Sequence, residues 1–256
     1  MTRGVASAIL NISAAPPTVI SYCDLTPHCF SCSVREMCLP LGLDGAALGR
    51  LETIVTGRRR IRKKGSLYRA GEAFSSLYAI RVGTFKTLTL AEDGREQVTG
   101  FFMGGEILGA DGIEENRYAC EATALEDSEV CILPFALLDE LAHDVPSLRR
   151  NLYRCLARDA SQGQKMMLLL GSMCAEERLA VFLLSLAHRY RARGFSLSEF
   201  VLRMTREEIA SYLGLKLETV SRLFSRLQGE GLLQVQGRAI KLLDLSALKS
   251  LAGVSG

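Results

Sequence analysis

Little in this chain is long and apolar. No hydrophobic run approaches the ~20 residues of a membrane-spanning helix, so no segment is expected to cross a bilayer. Met1 to Ile20 carries one Arg among scattered small residues and lacks a continuous apolar centre, so no signal peptide is expected and the chain is read as cytoplasmic. Histidine is scarce: His28, His143 and His188 are scattered, no nucleophile–base pair stands out, and an enzyme is the least favoured class. Net charge is only +3 and is unevenly placed. From Glu176 to the end there are twelve Lys and Arg against eight Asp and Glu, a net +4 that leaves −1 for the rest. That asymmetry points to a C-terminal part facing nucleic acid. What remains is 256 residues, 48% hydrophobic, enough for two domains with a sizeable core.

Cysteine, by contrast, is plentiful. Eight are present, and Cys29, Cys32 and Cys38 fall in a C-x2-C-x5-C run with Cys23 six residues upstream. Thiolates are soft ligands, and a tight loop can turn several onto one centre, so zinc and an iron–sulfur cluster both fit. The bland alternative, small buried hydrophobes, suits four cysteines within sixteen residues poorly. A disulfide framework suits a cytosolic chain no better.

Residues 1–22, with Pro16-Pro17 and many Ala and Ser, read as a flexible tail. The cysteine loop occupies 23–45. Leu48, Leu51, Ile54 and Val55 predict a short helix over Asp44 to Ile54. The basic run Arg58 to Lys64 reads as a solvated helix end and turn, in preference to a nucleic-acid patch. From Gly65 to Pro134, glycines punctuate short segments rich in β-formers: Ser76 to Val82, Phe85 to Leu90, Gln97 to Phe102, Val130 to Leu133. Glu92-Asp93-Gly94 is a hairpin signal. Short strands between regular Gly turns predict a jelly roll or barrel. A short helix is expected over Leu137 to Ala142. A long one then begins near Val145-Pro146-Ser147, with Ser147 as cap, and runs to about Met173. Along it Leu152, Leu156, Ala160, Gly163, Met167 and Leu170 recur at spacings of three and four. So narrow a stripe, small at its centre, predicts a self-pairing helix in preference to one lying on its own β domain.

Glu176 to Arg193 is amphipathic, with Leu179, Phe182, Leu183 and Leu186 inward. Thr205-Arg206-Glu207-Glu208 has the capping-box pattern. Gly214 permits a sharp turn, and Leu217 to Gln228 forms a second helix. Its apolar face holds Leu217, Val220, Leu223, Phe224 and Leu227, and its polar face holds Glu218, Ser221, Arg222 and Ser225. This is a helix-turn-helix pattern, and Leu232 to Val235 with Ile240 to Leu243 around Gly237-Arg238 adds a hairpin wing. The polar stripe suits base edges: Arg for guanine O6 and N7, Glu for cytosine N4, Ser for either donor or acceptor.

In this order the parts resemble the CRP/FNR family of bacterial transcription regulators, most closely its oxygen-responsive FNR branch, from about residue 29 to 252. The resemblance is carried by Cys29-x2-Cys32-x5-Cys38-x-Pro40, Leu77 to Arg81, Glu96 to Phe101, Val130-Cys131-x2-Pro134-Phe135, Ala175 to Ala180, Tyr212 to Leu215, and Glu218-Thr219-x-Ser221-Arg222. It implies an α+β chain in which the cysteine loop precedes a jelly-roll, cyclic-nucleotide-binding-like domain (46–142). A dimerisation helix (143–174) and a winged helix-turn-helix domain (175–256) follow. It also implies a [4Fe–4S] cluster on Cys29, Cys32, Cys38 and Cys131, although proximity would choose Cys23 as the fourth ligand. Cys120, Cys155 and Cys174 have no ligand counterpart and are read as packing residues. An intact cluster would favour a homodimer, with the stripe from Leu152 to Leu170 at its interface. That dimer would read a TTGAT-like palindrome in double-stranded DNA through Glu218, Ser221 and Arg222, activating anaerobic genes, with repression also open. RNA polymerase would be met at Glu92-Asp93-Gly94-Arg95, where Arg95 departs from the acidic residue of the family. Two rivals stand beside this. One is a zinc-stapled or thiol–disulfide regulator. The other is an effector-binding regulator that uses Gly105-Glu106, disfavoured because Tyr118 follows Arg117 where a small hydroxyl is needed.

Overall fold

The structure, a computed structural model, describes residues 28–90 and 94–253. The expected tail, Cys23 and most of the Glu92-Asp93-Gly94 hairpin signal lie outside them.

Alternation between two faces organises the first half. One antiparallel sheet runs β1 (Gly57–Ile61), β8 (Ser128–Pro134), β3 (Ser76–Val82), β6 (Ile107–Leu108). The other runs β2 (Ser66–Tyr68), β7 (Glu121–Ala124), β4 (Thr84–Leu90), β5 (Glu96–Met103). Between them lies a core that includes Tyr78, Ile80, Val130, Phe85 and Ala122. Successive side chains on a strand point to opposite faces, so Leu77, Ala79 and Leu133 leave that interior and face outward. They are covered by α1 (Gly45–Ile54), α2 (Phe135–Asp144), the start of α3 (Pro146–Ser172) and the tail of the cysteine loop, which together make a second core. The expected jelly roll is present, and Ser76 to Val82 forms a strand with those bounds.

The basic run is not a helix end. Arg58, Arg59 and Arg60 lie on β1, where Arg58 and Arg60 pair with Glu129 at 3.2 and 3.5 Å. The glycine before them and the β-branched residue after them support an edge strand that the charges had masked. Asp44 caps α1 by accepting from the Ala47 amide at 2.8 Å. Ser147 caps nothing: α3 starts at Pro146, with Val145 at the cap, because proline's fixed φ suits the first helical position.

The stripe on α3 divides. Leu152, 5% exposed, and half-buried Leu156 pack on the molecule's own second core. Ala160, Gly163, Met167 and Leu170 are exposed. All six share one helix face, but α3 is 27 residues, roughly 40 Å, and outruns the β domain that covers its first turns. The expectation that Leu152 lies at a partner interface is thereby corrected. The free apolar surface also includes Tyr153 and Leu168.

After α3 come α4 (Ala175–Ala192), β9 (Glu199–Val201), α5 (Arg206–Leu213), α6 (Leu217–Gly229), β10 (Leu233–Gln236), β11 (Ala239–Leu242) and α7 (Leu245–Leu251). Thr205 forms the expected capping box: its hydroxyl accepts from the Glu208 amide at 3.1 Å, and its own amide donates to Glu208 at 2.7 Å. Gly214 takes a left-handed φ of +63° that turns α5 into α6. The wing gains a third strand, β9, paired with β11, that the sequence reading missed because it is only three residues long. Leu217, placed on the apolar face, is exposed, since it opens the helix before its buried face begins. Cys174 is exposed at the start of α4, so it does not pack as expected, whereas Cys120 is buried.

Candidate functional site

The cysteine loop is a succession of tight turns. The Cys32 amide donates to the Cys29 carbonyl at 3.3 Å, Arg35 to Cys32 at 3.1 Å, Cys38 to Arg35 at 3.2 Å and Leu41 to Cys38 at 3.2 Å. Each turn brings another side chain round to the same side. The Cys29 and Phe30 amides donate to the Glu52 carboxylate on α1, which anchors the start of the loop. The loop rests on the turn after β5, where a Cβ at Gly105 would stand 2.8 Å from Met37. A side chain there would lift the loop, and the φ of +88° also favours glycine.

Cys131 lies on the outward face of β8, opposite Arg58 on β1 and Ala79 on β3. There it meets the loop. Cys29, Cys32, Cys38 and Cys131 line one cavity, whose remaining wall is mostly apolar and includes Leu39, Leu51, Val55 and Leu133. Among the described residues, no group of three His, Cys, Asp or Glu converges as a single ion would require.

Their acidities report that shared environment. Burial, then the neighbouring Cys131, Glu52 and Cys32, push the Cys29 thiol up to about 12, with Arg35 opposing. Burial and Cys32 push Cys131 up to about 11, against the pull of Arg58 and Arg81. Cys38 is raised further, by burial first and by Cys131, Cys155 and Cys29 after it. Left alone, Cys29, Cys38 and Cys131 hold their protons. To become thiolates together they need positive charge among them, which a metal centre supplies. Arg35 also lines the cavity, and its buried Nε–H has no hydrogen-bond partner among the described residues, with the Glu36 carboxylate 3.8 Å away. The donor set, four soft thiols in an apolar wall, fits an iron–sulfur group and not a hard cation. Beside Cys131, Glu129 binds Arg58 at 3.2 Å and Arg81 at 2.9 Å. Burial would raise its carboxyl, but these bonds win and hold it below the usual range.

The residues that the resemblance would set around a cyclic nucleotide are engaged within the protein. Tyr118 is 3% exposed, its ring stacked on Tyr68 at 4.0 Å and its hydroxyl donating to the Ser76 carbonyl at 2.8 Å. Glu106 is taken by Arg189 at 2.6 Å and Arg193 at 2.7 Å, both from α4 and the residue that ends it. Arg117 donates to the Gly71 carbonyl at 2.7 Å.

On α6, Val220, Phe224 and Leu227 are buried, while Glu218, Ser221, Arg222 and Ser225 are exposed along the opposite side. A helix raised on a buried apolar face with such a stripe free is built to lie in a major groove. The domain is tied to the β domain through Lys86–Glu208 at 3.0 Å, the Val98 amide on the Ser211 hydroxyl at 2.9 Å, and the rings of Phe101, Phe182 and Tyr212. Among the described residues no helix is long and apolar enough to cross a membrane.

Comparison with known proteins agrees with this division. Residues 177–251 match the Crp-like helix-turn-helix domain, and residues 58–144 match the cyclic nucleotide-binding domain. The anaerobic regulatory protein of Pasteurella multocida is 45% identical over 89% of this chain and 84% of its own length. The transcriptional activator protein FnrA of Stutzerimonas stutzeri is 44% identical over 88% of this chain and 93% of its own. Among solved structures, FixK2 from Bradyrhizobium japonicum superposes with a TM-score of 0.70 at 30% identity, covering 78% of this chain and 98% of that one.

Proposed function

Because this chain belongs to the CRP/FNR family of transcription regulators, we propose that it is an oxygen-responsive activator of anaerobic genes that carries a [4Fe–4S] cluster and binds DNA as a homodimer. The observation that carries the reading is the cavity lined by Cys29, Cys32, Cys38 and the distant Cys131. These four would hold the cluster, which when bound supplies iron–thiolate bonds that oxygen can break. The chain's own part is mechanical. Three thiols on the loop and one on β8 tie the loop down beside the start of α3. Apolar residues keep water from the site, and Arg35, Arg58 and Arg81 offset negative charge there.

The exposed run of Ala160, Gly163, Met167 and Leu170, with Tyr153 and Leu168 beside it, is the surface assigned to the second copy. A Cβ at Gly163 would meet nothing within 4 Å in the single chain, so the space is open to a close neighbour. Two copies present two α6 helices to a TTGAT-like palindrome, and the second reader gains an effective concentration that raises avidity roughly 10²–10⁴-fold. Glu218, Ser221 and Arg222 are assigned to base edges. An activator of this family also meets RNA polymerase, and the stretch Glu92-Asp93-Gly94-Arg95 is assigned to that contact.

Protein purified without oxygen tests the centre of this reading. It should be coloured, contain iron and sulfide in equal amounts, and bleach in air as specific DNA binding is lost. Colourless protein holding zinc, with air-indifferent binding, would replace it with the zinc-stapled reading. For DNA, Arg222→Ala should cost about 1–3 kcal/mol and relax the choice of one base pair. Equal loss on specific and random DNA would make Arg222 a phosphate contact.

A further inference from the structure

We propose that Asn151 is the residue through which the cysteine loop sets the position of the long helix, and so the fit of a second copy of this chain. The inference rests on the reading that the loop is held by its thiols when loaded. Asn151 lies in the second turn of α3 and is 6% exposed. Its amide nitrogen donates to the Leu39 carbonyl at 2.8 Å and to the Leu41 carbonyl at 2.7 Å. Leu39 directly follows Cys38, and Leu41 lies just beyond Pro40. Both hydrogens of one side-chain amide are therefore spent on the backbone that carries a cluster ligand.

Around this pair the contact is apolar. Leu148 and Leu152 of α3 share the second core with Leu39 and Leu43 of the loop. Apolar packing is non-directional and tolerates small slides, whereas hydrogen bonds weaken steeply with angle and distance. The two amide bonds thus fix the register between loop and helix. If the loop shifts, either the helix follows or a buried donor is left unpaired, and the second is costly. The exposed face of α3 begins at Tyr153, two residues on, so a tilt of these first turns is carried along the stiff helix to Ala160, Gly163 and Met167. Sequence reading gave no hint of this residue, because an Asn in an amphipathic helix reads as a surface position.

The test uses full-length protein purified without oxygen. Asn151→Leu keeps the branching at Cγ in a somewhat larger, apolar side chain and removes both donors. Wild-type dimerisation, followed by sedimentation, should weaken on air exposure. In Asn151→Leu with full iron and sulfide, that change should shrink at least tenfold. A dimer that holds the helix also holds the loop and lets it open to oxygen less often, so in the wild type the rate of bleaching in air should fall as protein concentration rises through the dimerisation range. In the variant, the rate should not depend on concentration, a signature that mere loss of stability does not produce. A fully loaded variant with the wild-type air response and the wild-type concentration dependence overturns the proposal.

Should the variant fail to load or fold, hydrogen exchange on the wild type decides. Amides of 148–156 should lose protection in air together with those of 39–43, and loss confined to the loop overturns the proposal. Wild-type protein without iron would overturn the cluster reading itself, and this inference with it, before any variant is made.

Discussion

The jelly-roll domain has two regions that the family resemblance links to ligands, and they are built in opposite ways. Inside the barrel, Tyr118 is stacked on Tyr68 with Phe74 at its edge, while Glu106 is claimed by Arg189 and Arg193. Outside, against the other face of the β1–β8–β3–β6 sheet, four thiols line one cavity. The difference teaches that one barrel can retire one site and open another by changing which face of a strand carries the chemistry. Val130 points into the closed interior and Cys131, one residue on, into the thiol cavity.

The largest effect that would sharpen this comparison is all-or-none. Cys131→Ala protein, purified without oxygen, is expected to lose its iron, whereas Cys23→Ala protein keeps it. Iron analysis giving the reverse would move the fourth ligand to the segment before the loop and reduce Cys131 to a packing residue.

The next effect is energetic. Tyr118→Ala should destabilise the fold by about 3–5 kcal/mol in denaturant titration, as removal of a buried aromatic does, and leave iron content unchanged. Millimolar cyclic AMP should not raise the melting temperature of either protein, since Glu106 remains paired. Stabilisation of the variant by cyclic AMP, through binding to the native state, would break the comparison: the inner site would be latent, not retired.

How far the sequence carried depends on the range of the interactions. The capping box at Thr205, the turn at Gly214 and the two faces of α6 are local, set by spacing within a few residues, and were readable at sight. Four of the strands from Ser76 to Pro134, β3, β4, β5 and β8, were readable from their glycine punctuation, whereas the shorter β6 and β7 were not. Charge misled at Arg58 to Arg60, because Arg58 and Arg60 are matched by Glu129 on a neighbouring strand that no local pattern reveals. The stripe on α3 was readable as one face. What covers that face, the molecule's own core at Leu152 and solvent at Met167, was not.

By itself, then, the sequence determined the succession of parts, the thiol-rich loop and the polar face of α6, because each depends on periodicities of two or 3.6 residues along a single segment. The tertiary structure puts Cys131 beside Cys29, Cys32 and Cys38, which the sequence offered only through a family resemblance, and it alone decided that Glu106 serves α4 and that Asn151 grips the loop. Those pairings join segments remote in sequence, as the 112-residue separation of Asn151 and Leu39 illustrates. They follow from how sheet faces and helices pack, which no spacing along one segment encodes.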